Sequence, residues 1–322
     1  MRRLTEAFFV LILCGGTAAF GSVESDLMAM APAETTLLSG IDVARTKASP
    51  FGAYLLNEMS RGNGHLPEFM AATGFDPRRD LQQVLLAGVA GKSGPNSRFA
   101  ILARGTFDEA RIRTAVLANG GSVSTINGLE TLLIPKHRQN EQRENGVVGL
   151  AFPKPGLAVL GDVKTLQEVL SPRASNQNLD ALLVDQVNHV GSENDIWFAT
   201  LMSGSFLGHQ LADGAPPNVV NSGALKSILR SSGGMQFGTN VAMSLDLFTR
   251  SADDARSVTE LLRFAGNLAQ MQNNPQGTAA AAALSNLELQ TEGSTVHASL
   301  NVTEQQMEQL MQSGKKPLTQ RQ

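Results

Sequence analysis

The first 21 residues read as a segment apart from whatever fold the rest of the chain adopts. Met1-Arg2-Arg3 forms a positive start, Ala7 to Phe20 an apolar run, and Ala19-Phe20-Gly21 a small-x-small pattern. That is the layout of a secretory signal, and it predicts cleavage after Gly21 and a periplasmic or otherwise extracytoplasmic mature protein. The apolar run is short for a membrane span of ~20 residues, so an uncleaved anchor is the alternative. Cys14, the chain's only cysteine, lies inside this run. Once the run is removed, disulfides, thiolate nucleophiles and cysteine-ligated metals are excluded together. Leu13 precedes Cys14 where a lipoprotein signal needs a small residue, which argues against lipidation.

The remainder reads as two α+β halves. The expected division is a signal peptide at 1–21, an N-terminal half at 22–177, a C-terminal half at 178–312 and a flexible tail at 313–322. With one Trp and one Tyr in 322 residues, the cores must be built from Leu, Val, Ala and Met. In the first half a strand is expected over Thr35 to Val43, and helices over Phe51 to Met59, after Ser49-Pro50, and over Leu66 to Thr73. Strands follow over Gln83 to Val89 and Phe99 to Ala103. Thr106 to Glu109 reads as a capping box. Asn127-Gly128 marks a hairpin between Ser122 to Ile126 and Glu130 to Ile134. Val147 to Phe152 and Leu157 to Leu160 read as another strand pair, and Asp162 as the cap of a helix from Val163 to Leu170.

The second half repeats this order. A lead-in helix over Leu182 to Val190 and a strand over Asp195 to Met202 come first, with helical material between Phe206 and Leu229. Strands are expected over Gly234 to Thr239 and Val241 to Thr249. In the latter, Val241, Met243, Leu245 and Leu247 alternate with Ala242, Ser244, Asp246 and Phe248, which predicts one buried face. A long amphipathic helix, Ala252 to Gln272, follows Ser251 with Asp254 three residues on. A hairpin across Glu292-Gly293 and a final helix capped at Thr303 close the half, and Ala279 to Ala283 fits helix or loop. Each half therefore approximates β-α-β-β-α-β with extra hairpin strands, the split βαβ (ferredoxin-like) arrangement with an antiparallel sheet covered by helices on one face.

Four segments carry a resemblance: Thr35 to Val43, Gly74 to Leu81, Arg104 to Asp108, and Leu157 to Asp162. They resemble exported bacterial proteins of unknown function that hold two similar α+β halves behind a signal peptide. The resemblance implies an extracytoplasmic location and a fold. It carries over no activity and no site residues.

Motifs of chemistry mostly fail on context. Leu86 to Ser93 approaches a P-loop but has Leu86 where glycine is needed, and Gly94-Pro95 where a helix should start. Arg61 to Pro67 opens like a dinucleotide fingerprint but follows a helix. The histidines, His65, His137, His189, His209 and His297, show no metal-ligand spacing. Ser205 and His209, with Asp195 or Asp213, are the material for a hydrolase site assembled from distant residues. Ser313 to Lys316 matches SxxK only in the tail, and Asn301-Val302-Thr303 is a glycosylation pattern without weight in a bacterial chain. Glu193 with Asp195 and the pair Asp253-Asp254 sit where loops and helix starts favour acids. Met307, Leu310 and Met311 read as core filler.

The net charge is −3, and one unit more negative once Arg2, Arg3 and Glu6 leave with the signal, which is no nucleic-acid footprint. The basic groupings Arg78-Arg79 and His137 to Arg143 are interleaved with acids or amides and read as solvated loops. The expectation is an exported, non-catalytic cell-envelope protein that binds or scaffolds a protein or envelope component. No catalytic, metal or cofactor-binding residues are assigned, no cofactor and no nucleic-acid partner are expected, and no integral membrane span remains after cleavage. The alternatives are an exported hydrolase and an anchored accessory factor of a membrane complex.

Overall fold

A strand of six residues, β1 (Leu37–Asp42), passes directly into a helical turn, α2 (Val43–Thr46), because the Asp42 side chain accepts from the Arg45 amide at 2.6 Å. The computed structural model describes residues 25–61, 66–89, 98–135, 147–171, 179–204, 222–270 and 284–314. The signal segment, Ser205, His209, Asp213, the alanine tract, His137 to Arg143 and the tail from Lys315 lie outside them. Among the described residues no helix is long and apolar enough to cross a membrane.

The chain divides into two compact units, one running to Phe198 and the other starting at Ala199. This boundary falls later than the 177/178 position expected from the polar linker. The reason is packing: α8 (Ala181–Glu193) buries Leu183, Val187 and Val190 and contacts β1, so it belongs with the first unit.

The first unit is α+β with an antiparallel sheet. It opens with α1 (Ser25–Met28). After α2 come α3 (Pro50–Ser60), α4 (Leu66–Thr73) and α5 (Pro77–Asp80), then β2 (Leu81–Val89) and β3 (Arg98–Gly105). Next are α6 (Glu109–Ala118), β4 (Ser122–Ile126), β5 (Leu129–Pro135), β6 (Val147–Lys154), β7 (Leu157–Asp162) and α7 (Val163–Val169), and after α8 comes β8 (Ile196–Thr200), the strand expected over Asp195 to Met202. The strands lie in the order β1-β2-β3-β7-β6-β5-β4. Ser49 caps α3 by accepting from the Gly52 amide at 2.9 Å, with Pro50 at the first helical position. Asp162 caps α7 at 3.0 Å. The Asn127-Gly128 turn takes φ of 50° and 83°, the pair of left-handed residues that a two-residue hairpin demands. The expected Thr106 cap is corrected: α6 starts at Glu109, and Asp108 accepts from the Arg111 amide at 3.0 Å. Asp108 stands next to the first turn, so its carboxylate reaches the free amides before Thr106 does.

Ile112 and Val116 of α6 pack on Ala103, Leu132, Leu150 and Ala158. Beside them a file of rings, Phe69, Phe75, Phe107 and Phe152, runs with centroid spacings of 5.9, 5.9 and 5.6 Å.

The second unit, also α+β, carries α9 (Gly223–Lys226), β9 (Ile228–Phe237), β10 (Asn240–Thr249), α10 (Ala252–Gln270), β11 (Leu287–Glu292), β12 (Thr295–Thr303) and α11 (Glu304–Gly314). Its strands lie in the order β11-β12-β10-β9. Segment 222–229, expected to be helical, holds only the short α9 before Ile228 and Leu229 enter β9. Ser251 caps the start of α10: the Asp254 amide donates to Ser251 Oγ at 3.1 Å, and Ser251 Oγ donates to Asp254 Oδ2 at 3.1 Å. Ala255 and Val258 then pack on Leu247 and Val296. Met307 and Met311 are buried, as core filler should be.

The registers bear out the expectation of an antiparallel sheet in each unit. The β1–β2, β2–β3, β3–β7, β7–β6, β6–β5 and β5–β4 pairs are all antiparallel, as are β9–β10, β10–β12 and β12–β11. Four hairpins close over two residues, at Asn127-Gly128, Pro155-Gly156, Gly238-Thr239 and Gly293-Ser294. Connections that short force sequence neighbours to pair antiparallel.

Candidate functional site: the open polar face of the second unit

Because side chains alternate along a strand, the registers sort the second unit's sheet into two faces. Leu245, Ala298 and Leu289 form one cross-strand row, and Leu247, Val296 and Thr291 another. This is the face on which α10 packs. The opposite face carries the row Ser232, Asp246, His297, Gln290, then Gly234, Ser244, Ser299, Glu288, then Ala242 and Asn301, then Asn240 and Thr303. Ser244, Ser299, Asn301, Asn240, Glu288 and Gln290 are exposed.

Two features stand out on it. Asp246 and His297 are direct cross-strand partners, with Oδ1 2.7 Å from Nδ1, and Glu292 Oε2 lies 4.0 Å from the other ring nitrogen. A carboxylate on Nδ1 orients the imidazole and leaves Nε2 for a proton or a ligand, a fragment of relay chemistry. Among the described residues no group of three or more acidic, histidine or cysteine side chains is arranged to hold a metal ion. The second feature is a cleft of about 510 Å³ where β10, β12 and the start of β11 meet α11, lined by residues that include Asn240, Asn286, Asn301, Thr303, Gln306 and Glu288. Asn286 Nδ2 donates to the Asn301 carbonyl at 3.0 Å. Gln306 Oε1 accepts from the Thr303 amide at 2.9 Å and from its hydroxyl at 3.1 Å, the expected cap of α11.

The residues weighed from sequence are spread apart. Asp195 pairs with Arg45, Nε to Oδ1 at 2.5 Å, inside the first unit. Burial pushes the Asp42 carboxyl above its ordinary value, against the amide and charge of Arg45 that pull it down. Trp197 packs its indole over Gly40, where a Cβ would stand 2.4 Å from the ring. Leu86 to Val89 are β2, Arg61 caps the end of α3, and His189 is exposed on α8. Asp253 pairs with Arg256 at 2.9 Å on the first turn of α10. Arg78 and Arg79 belong to a capped helix, not a loop. Arg78 forks onto Asp76 at 2.9 and 2.6 Å, and Arg79 onto Asp80 at 2.7 Å twice. These side-chain bonds hold both carboxyls below the usual aspartate range.

Sequence reasoning passed over the Asp246–His297 pair. The alternation of β10 placed Asp246 on the outer face, but the partner across the ladder is a matter of register, for which no local pattern codes. No family model matches the chain, and no curated protein does. A solved structure, crystal form I of TP0453, aligns with a TM-score of 0.49 at 11% sequence identity, over 92% of this chain and 100% of its own.

Proposed function

We propose that the chain is an exported, non-catalytic binding protein of the cell envelope, built from two copies of one α+β unit, that engages its partner through the open polar face of the second unit. The observation that carries this reading is that face itself. Three successive strands present exposed hydroxyl, amide and acidic side chains on the side away from α10, with a cleft at one end. The duplication is supported by the recurrence of hairpin, helix, hairpin, helix: β2-β3-α6 then β6-β7-α7 in one unit, β9-β10-α10 then β11-β12-α11 in the other. The strand orders β2-β3-β7-β6 and β9-β10-β12-β11 correspond, with β4-β5 as an added hairpin.

The test uses the absence of cysteine after Cys14. A Ser299→Cys variant carries one thiol on the face, and Thr125→Cys one on β4 as control. Each is labelled with a photoreactive maleimide and illuminated with the envelope fraction. A defined envelope component joined to the first and not to the second is the expected result; equal or no adducts would dispose of the reading. Amino-terminal sequencing of the recovered chain should begin after Gly21, and a soluble cytosolic chain that keeps Met1 would sink the exported half of the proposal.

The exported hydrolase is the second reading, favoured by the oriented Asp246–His297 pair. It requires ester or amide turnover that disappears in His297→Ala, and wild-type protein without turnover removes it.

A further inference from the structure

Resting on the binding reading above, we infer that the cleft at Asn240, Asn286 and Asn301 is a subsite for a neutral glycan segment, a short run of hydroxylated or acetamido-bearing sugar rings. Asparagine is depleted in strands, yet two strand asparagines and a third from the turn before β11 meet here. Asn240 stands on β10, Asn301 on β12 and Asn286 in the turn just before β11, and the register puts Asn240 diagonal to Asn301 on one face. Diagonal neighbours across a ladder lie about 7–8 Å apart, so the two amides can reach different hydroxyls of the same ring or of adjacent rings.

The donors and acceptors are complementary to hydroxyl groups. The side chains of Asn240 and Asn301 make no hydrogen bond with the described residues. Asn286 has spent one N–H on the Asn301 carbonyl and keeps its oxygen. Gln306 has spent its oxygen on Thr303 and keeps its NH₂. Amides that both donate and accept suit a ligand whose every group does the same. Among the described residues no cation lines the cleft and Glu288 is the one charged side chain, which disfavours phosphate and carboxylate ligands.

A peptide is the competing occupant. Its side chains want apolar pockets, but the apolar lining residues are Leu287 and Val302, and Val302 is 1% exposed. A volume of about 510 Å³ holds a ligand segment of small-molecule size, in the ~300–1,000 Å³ range of such sites. With no aromatic ring among the described lining residues, affinity rests on hydrogen bonds, and a Kd of about 1 mM is expected.

The experiment titrates the processed protein, followed by NMR, with soluble β-1,4 tetramers of glucose and of N-acetylglucosamine, and separately with a lysine-rich extended peptide. Shifts at the cleft with either sugar, weakened roughly tenfold in Asn301→Ala and in Asn240→Ala but not in Asn188→Ala, support the inference. All three positions are exposed, so unchanged melting temperatures show that the variants fold. No sugar binding at millimolar concentration, binding indifferent to Asn240 and Asn301, or saturation by the peptide instead would overturn it. If sugars fail while the Ser299→Cys adduct still forms in the envelope, the glycan assignment falls and the binding reading stands; if both fail, both fall.

Discussion

β7 in the first unit and β12 in the second bury their residues in different patterns. β7 buries Leu157, Ala158 and Val159 in succession, so both of its faces are covered. β12 buries Val296 and Val302 while Ser299, Asn301 and Thr303 are exposed, so it is covered on one side only. A strand covered twice must have its polar groups paired inside, and the first unit does this with Asp42, Arg45 and Asp195. The second unit has a free face on which polar side chains answer to solvent or to a ligand. Antiparallel sheets of this kind can thus carry very different surfaces, and the open face is the place to look for function.

The largest expected effect comes from breaking an interior pair. Asp195→Ala leaves the Arg45 guanidinium partly buried without its carboxylate, and should cost ~3–5 kcal/mol in urea unfolding followed by Trp197 fluorescence. The counterpart in the second unit, Asp246→Ala, removes the partner of a histidine whose side chain is 43% exposed, and should cost under ~1 kcal/mol. Equal losses would break the contrast between interior and surface pairs.

A pair of substitutions on the second unit's sheet sharpens the contrast between its faces. Leu247 is 4% exposed under α10, so Leu247→Ala opens a cavity and should cost ~2–4 kcal/mol. Ser299 is exposed on the other face, and Ser299→Ala should stay within ~0.5 kcal/mol in the same assay. A large loss at Ser299 would mean that the polar face is part of the core.

What could be read in the sequence was local. The caps at Ser49, Asp162, Ser251 and Thr303 and the hairpin at Asn127-Gly128 each depend on residues within four positions, and each forms as expected. Thr106 misled because Asp108 competes for the same orphan amides. Strand order, the Asp246–His297 pair and the cleft depend on register between segments dozens of residues apart, which alternation constrains only to a choice of face. Arg78-Arg79 looked like a solvated loop because charge density alone does not reveal that Asp76 can cap a turn and fork the following arginine.

The smallest effect repeats the comparison within the first unit, between a buried aspartate and a surface one. Burial raises the Asp42 pKa, so the folded state binds its proton more tightly than the unfolded chain does, and stability falls as pH rises from the unfolded value of 3.8 through the folded one. Arg78 lowers the Asp76 pKa, so that aspartate stabilises above 3.8, and its contribution is lost as pH falls through the folded value. Asp42→Asn keeps an oxygen for the Arg45 amide and should melt above wild type at neutral pH; Asp76→Asn should melt below it. Both differences should shrink once the pH is under both pKa values of the aspartate concerned. Thermal melts across pH check the signs. A lower melting temperature for Asp42→Asn at neutral pH would mean that the charge on Arg45, not desolvation, governs Asp42, and the interior of the first unit would then resemble its surface.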